Sequence, residues 1–189
     1  MMARMFKILC ISMVVASQVA SAGEPDAWDS AASEILRLDP ASFEELSAEI
    51  LENLNQRGCT IPQTPYPAYP HNVVKGHLDD SGILDLAILC SIGQRSVILV
   101  LWDGSASDVD QVSGWSDDKG WLQTGVEGIE FSRTLSIASS ELISRYSVSY
   151  GSELTVNPTH DGVDEAFLGK GSTVHYWDGQ DWHKLQGAD

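Results

Sequence analysis

Positive charge is what this chain has least of. Its 11 Lys and Arg stand against 27 Asp and Glu, a formal net charge of −16. Such a surface repels phosphate backbones and anionic headgroups, which argues against nucleic-acid and anionic-membrane partners. It suits a bound cation, a basic partner or plain solubility. Catalytic signatures are also missing. There is no G-x-S-x-G elbow and no H-E-x-x-H pair, and Gly169-Lys170-Gly171-Ser172 lacks the P-loop spacing. Carboxylate pairs occur at Asp79/Asp80, Asp117/Asp118 and Asp164/Glu165. A chain this acidic supplies such pairs by composition, and a glycosidase needs two set across a cleft. No catalytic residue is therefore assigned.

Long apolar runs are absent too. The N-terminal one, 8–15, is too short to span a bilayer, and no later segment is long and apolar enough. That first run has a secretory layout instead. Arg4 and Lys7 precede it, and Ala20-Ser21-Ala22 ends it with small residues, so residues 1–22 read as a signal peptide. The expected location is exported, periplasmic or extracellular, with no membrane span after signal removal. Cleavage removes Arg4, Lys7 and Cys10. Only Cys59 and Cys90 are then left of the three cysteines. In an oxidising compartment these two are expected to pair. The bond closes a loop of about 32 residues and stabilises by roughly 3–4 kcal/mol in the chain-entropy model.

Residues 23–60 read as a helical segment. Trp28, Ala31, Ala32, Ile35 and Leu36 recur at helical spacing. Asp39-Pro40 then predicts the opening of a second helix, with Asp39 as N-cap and Pro40 in its first position. Phe43, Leu46, Ile50 and Leu54 share one face, and Arg57-Gly58 marks the exit. Residues 61–72 hold the run I-P-Q-T-P-Y-P-A-Y-P, which excludes helix and central strand and reads as a rigid polyproline II connector. Such a segment can also dock in an aromatic groove.

Residues 73–189 read as the antiparallel β-rich region of the same domain. Strands are predicted over 73–78, 84–91 and 96–102, with weaker ones over 121–124 and 129–137. The nearly continuous apolar runs at 86–90 and 97–102 predict strands covered on both faces. Asp178-Gly179 between 173–176 and 182–185 is a hairpin signal, and Trp102-Asp103-Gly104 repeats its Trp-Asp-Gly. Helices are expected over 140–146 and 163–168. The expected fold class is α+β: N-terminal helices packed on an antiparallel β-meander sheet of five to eight strands, with one disulfide.

Between the first two strands, residues 76–90 read G-H-L-D-D-S-G-I-L-D-L-A-I-L-C. This resembles one degenerate copy of the FG-GAP (VCBS-type) repeat, usually G-D-F-N-G-D-G-x-x-D-L-A-V. The resemblance covers about 15 residues and implies a Ca2+ loop, a hard cation held by several converging oxygens. Carried over position by position, the ligands fall on His77, Asp79, Ser81 and Asp85, with Gly82 as the turn glycine. His77 and Ser81 depart from the pattern by losing a carboxylate each. Asp79, Ser81 and Asp85 are thus the candidate metal set, for a weak Ca2+ site and no other cofactor. The alternative is a hairpin in which Asp79 or Asp85 hydrogen-bonds the backbone. The chain is also similar to short exported bacterial proteins of unknown function that combine such a segment with an aromatic hairpin ending in G-A-D. That resemblance implies a compartment and a fold, and no reaction.

The five histidines, His71, His77, His160, His175 and His183, show no zinc spacing. His175 and His183 are expected at exposed positions on the two arms of the last hairpin. Trp115, Trp121, Trp177 and Trp182 lie near turns, where aromatic groups either form a flat binding surface or pack one layer on another. Trp177 and Trp182 are the candidate binding residues, for an unknown protein or glycan. The expected function is a non-enzymatic binding or interaction module. The alternative is a cell-envelope hydrolase or inhibitor built around the acidic loop and the C-terminal aromatic hairpin.

Overall fold

The computed structural model describes residues 26–188. The expected signal peptide, 1–22, lies outside the described residues. Helices and several antiparallel sheets give an α+β chain with one disulfide. Helix α1 (Ala27–Glu34) starts at Asp26, whose carboxylate accepts from Trp28 N at 3.1 Å. β1 (Arg37–Leu38) follows. Asp39-Pro40 opens only a 3-10 turn, Pro40–Ser42. The expected helix begins later, as α2 (Ala48–Arg57), capped by the Ser47 hydroxyl accepting from Ile50 N. Two cap signals compete here. Phe43 and Leu46 are buried from an irregular backbone, and the cap next to Ile50 and Leu54 starts the helix. Gly58, at φ 74°, ends it in the left-handed conformation that glycine adopts freely.

β2 (Ile61–Pro62) pairs with β1. The five-stranded sheet comprises β3 (Val73–Gly76), β4 (Asp85–Ile92), β5 (Arg95–Leu101), β6 (Val109–Gln111) and β7 (Ser116–Asp117). The Gly93-Gln94 turn joins β4 to β5, pairing Ile92 with Arg95. β8 (Leu122–Thr124) and β9 (Ile129–Phe131) form a short hairpin. The four-stranded sheet runs β10 (Arg133–Ala138), β11 (Gly162–Phe167), β12 (Gly171–Trp177), β13 (Trp182–Gln186). Helix α3 (Ser140–Tyr150) lies between β10 and β11 in sequence.

The strand period sorts the core. Leu86, Ile88, Cys90, Val97, Leu99 and Leu101 form one cluster with Phe43, Ile50 and Leu54. Their neighbours Ala87, Leu89, Ile98 and Val100 form another, with Leu135 and Val163 of the second sheet. Val174, Tyr176 and Leu185, on that sheet's far face, meet Ile143 of α3. Cys59 and Cys90 are bonded, with Cα atoms 5.2 Å apart, and tie the end of α2 to β4.

Two buried polar side chains link these parts. Asn72 sits at φ 72° between β2 and β3. Its amide donates to Pro62 O at 2.7 Å and Arg133 O at 3.2 Å and accepts from Leu135 N at 2.9 Å, mimicking a strand at the edge of β10. Asp118 accepts from Arg37 Nη2 at 2.7 Å, Ser91 Oγ at 2.8 Å and Ser96 Oγ.

The structure corrects several expectations. One meander sheet becomes two main sheets face to face. Residues 163–167 lie in β11 and Leu168 in the turn after it, not in a helix, because pairing with β10 and β12 overrides the helix propensity of Asp164-Glu165-Ala166. Trp102–Gly104 is a 3-10 turn, with Asp103 at φ 53°, and it opens the longer 102–108 connection of the antiparallel β5–β6 hairpin. His175 is 1% exposed rather than on the surface, since its side of β12 faces the first sheet.

Candidate functional site

The acidic turn shows how the expected Ca2+ ligands are used. Asp85, at the start of β4, is fully buried. Its Oδ2 accepts from Leu78 N and its Oδ1 from Asp103 N, both at 2.8 Å. Burial pushes its carboxyl above the ordinary range, and the two N–H donors only partly offset that. Asp79 Oδ1 accepts from Ser81 N at 2.8 Å. Ser81 Oγ donates to Asp103 Oδ1 at 3.1 Å and accepts from Ile83 N. Asp80 accepts from Thr159 Oγ1 at 2.6 Å, and His77 Nδ1 donates to Ile83 O at 3.0 Å. Each member of the set Asp79, Ser81 and Asp85 thus has its own partner. No cluster of three or more His, Cys, Asp or Glu able to hold a metal exists among the described residues. Asp79 and Asp85 are used as in a turn whose carboxylates satisfy backbone N–H groups.

Trp177 and Trp182 face each other across the end of the β12–β13 hairpin, ring centres 5.4 Å apart. Trp102, from the turn after β5, closes the group at 5.5 and 5.6 Å, nearly parallel to Trp182. Trp182 Nε1 donates to Asp110 Oδ2 on β6 at 3.0 Å. All three rings are half-buried. They join the last hairpin to the first sheet. Trp102 was the missed member, although its Trp-Asp-Gly matched the hairpin's own.

The same hairpin carries a relay. Asp178 Oδ2 lies 2.6 Å from His183 Nε2, and His183 Nδ1 lies 3.2 Å from Thr155 Oγ1. The N–H of Asp181, the His183 ring and the N–H of Gln180 hold the Asp178 carboxyl down at about 2. A carboxylate, an imidazole and a hydroxyl in series is the connectivity that activates an alcohol in acyl transfer.

A buried charge cluster lies between the sheets. Arg133 Nε donates to Glu165 Oε1 at 2.7 Å, and His175 Nε2 lies 2.7 Å from Glu165 Oε2. The Arg133 guanidinium also stacks on Trp121, 4.5 Å from its ring centre, and donates to Ser116. Burial pushes the Glu165 carboxyl up, but the His175 hydrogen bond and the Arg133 charge outweigh it and hold it below the ordinary range. Burial lowers Arg133. Glu165 lines an open cavity of about 360 Å³ with Trp121, Phe167 and Lys170. Residues far apart in sequence make this cluster, and no spacing signal marks it.

The larger cavity, about 480 Å³, opens between α1, the proline-rich segment and β9. Ala31, Ile35, Ala68, Tyr69, Ile129 and Phe131 give it apolar walls. The segment forming one wall is held by hydrogen bonds. Gln63 Nε2 donates to His71 O at 2.8 Å and Gln63 Oε1 accepts from His71 N at 2.8 Å. His71 Nε2 accepts from Thr64 N at 3.0 Å, which leaves the ring proton on Nδ1 to reach Tyr69 O. Of the lining residues, Leu36 and Tyr69 are 60% and 68% exposed. The proline run was legible as a rigid segment. The cavity beneath it was not, because α1 and β9 supply the other walls.

No protein-family model, curated protein or solved structure matches the chain.

Proposed function

We propose that this chain is an exported, non-enzymatic binding module, working in the periplasm or outside the cell. Its N-terminal helices brace the antiparallel sheets, and one degenerate FG-GAP-like turn serves as a hairpin without bound calcium. The observation that carries the reading is the groove between α1 and the proline-rich segment. It is apolar, it is rimmed by exposed aromatic and aliphatic side chains, and its outer wall is ordered by its own hydrogen bonds. A pre-ordered wall spares the entropy of folding a loop around a ligand. Concave, mostly apolar cavities of several hundred Å3 are the usual form of a binding site. Trp177 and Trp182 support the module by fixing the last hairpin.

The test is an amide NMR titration of the exported chain with N-acetylphenylalaninamide. Saturable shifts at Ala31, Ile35, Ala68 and Ile129, lost in Ala68→Trp, which fills the groove from an exposed position, support the reading. Shifts scattered over the surface, or none, overturn it. A second reading, a hydrolase on the C-terminal hairpin, is favoured by the Asp178–His183–Thr155 relay. Turnover of an activated ester that His183→Ala and Thr155→Val both abolish would carry it. Turnover that survives both substitutions would remove it.

A further inference from the structure

Resting on the groove as the binding site, we infer that its occupant is a peptide segment of a partner protein, with an apolar or aromatic anchor side chain flanked by Lys or Arg. The polar groups still uncommitted at the groove decide what it can hold. Gln63 and Thr64 line it, but both are spent on the segment itself. The Gln63 amide bonds Ile61 O, Pro62 O and both backbone groups of His71, and Thr64 bonds His71 and Tyr66 O. A sugar ring needs partners of both kinds, donors and acceptors, and apart from the Tyr69 hydroxyl the lining side chains still uncommitted are carboxylates, which only accept. A side chain of carbon and hydrogen needs only the walls.

Two carboxylates remain, Glu34 at the end of α1 and Glu130 on β9. Glu130 Oε1 accepts from Glu127 N at 3.0 Å. Glu34 has no hydrogen bond or ion pair among the described residues. No Lys, Arg or His lines the groove, and the chain as a whole carries −16. The mouth therefore favours a cation beside an apolar anchor and disfavours an anion there. Charges at such a rim steer approach and choose among partners more than they add affinity. Tyr69 and Leu36 supply an aromatic and an aliphatic contact beside the anchor, and aromatic residues are enriched at protein interfaces. Tyr rings also stack against the stems and heads of Lys and Arg.

The test is fluorescence anisotropy at low salt on the exported chain. The probes are two short labelled peptides with the same central Leu-Phe, one flanked by Lys and one by Glu. The Lys-flanked peptide is expected to bind about tenfold tighter or more. Glu34→Lys is expected to weaken it roughly fivefold, leave the melting temperature unchanged and narrow the gap between the two peptides. Ala68→Trp should abolish both signals. Equal binding of the two peptides, or no effect of Glu34→Lys, overturns the inference. If neither peptide binds while N-acetylphenylalaninamide still shifts the groove resonances, the occupant is wrong and the groove stands. If that probe fails as well, both readings fall.

Discussion

The two main sheets bury their strands with different chemistry. Between Leu86 and Cys90 and between Val97 and Leu101 every buried side chain is apolar. The second sheet buries Arg133, Asp164, Glu165 and His175 among its apolar residues. An apolar strand gains by leaving water and tolerates substitutions of similar volume. A buried ionic cluster gains little net stability, yet it depends on every partner being present. The first sheet should therefore degrade gradually under mutation within these two apolar runs, and the second abruptly at its charged positions.

The largest expected effect is at Arg133. Arg133→Met leaves Glu165 buried with His175 alone and should cost about 3–5 kcal/mol in urea unfolding. Arg133→Met with Glu165→Leu should recover much of that loss. If the single change costs no more than a volume-matched swap in β4, the contrast between the sheets breaks. Next comes the disulfide, which ties α2 to the first sheet. Removing it with Cys59→Ala and Cys90→Ala should cost about 3–4 kcal/mol, read as the difference from oxidised wild type. Asp85→Asn should cost about 1–3 kcal/mol, because the new amide cannot accept from both Leu78 N and Asp103 N. Its effect should be the same in EDTA and in added Ca2+, since both oxygens serve the turn.

The smallest expected effect sharpens the comparison through pH. Asp164 is raised by burial, only partly offset by Ser172 and His175. A carboxyl raised above its unfolded value penalises the folded state while both states are ionised. The penalty is relieved as pH falls through the folded pKa and is gone below the unfolded one. Asp164→Asn should thus raise stability at neutral pH, within about 1 kcal/mol, and match wild type near pH 3. Glu165 has the opposite sign. It is lowered, so its contribution is present above the unfolded value and is lost as pH falls through the folded one. Glu165→Gln should flatten the acid limb of the stability curve that Asp164→Asn steepens. Denaturant melts across the acid range check both.

The parts legible in the sequence were those with a local physical cause. The apolar runs marked β4 and β5, Asp178-Gly179 marked the last hairpin, Gly58 marked the end of α2, and two cysteines in an export context marked their bond. Misreadings arose where a partner distant in sequence decided. Asp164-Glu165-Ala166 looks helical until β10 and β12 pair with it. Asp39 looks like the cap of the second helix until burial of Phe43 and Leu46 breaks the chain there. The acidic turn showed its carboxylates, but which N–H each would accept depended on Leu78 and Asp103 arriving from different connections.

Composition, period and turn residues belong to short stretches of chain. They set the α+β class, the disulfide, the hairpins and the shortage of basic partners on the surface. The groove, the tryptophan trio and the Arg133–Glu165–His175 cluster each draw side chains from three or more elements. Whether Gln63 and Thr64 are free or spent, whether His175 meets water or Glu165, and whether Glu34 faces a cation of this chain or of a partner are questions of distance after folding. Charge and hydrogen-bonding capacity are written in each residue, but the partner that consumes them is chosen by packing.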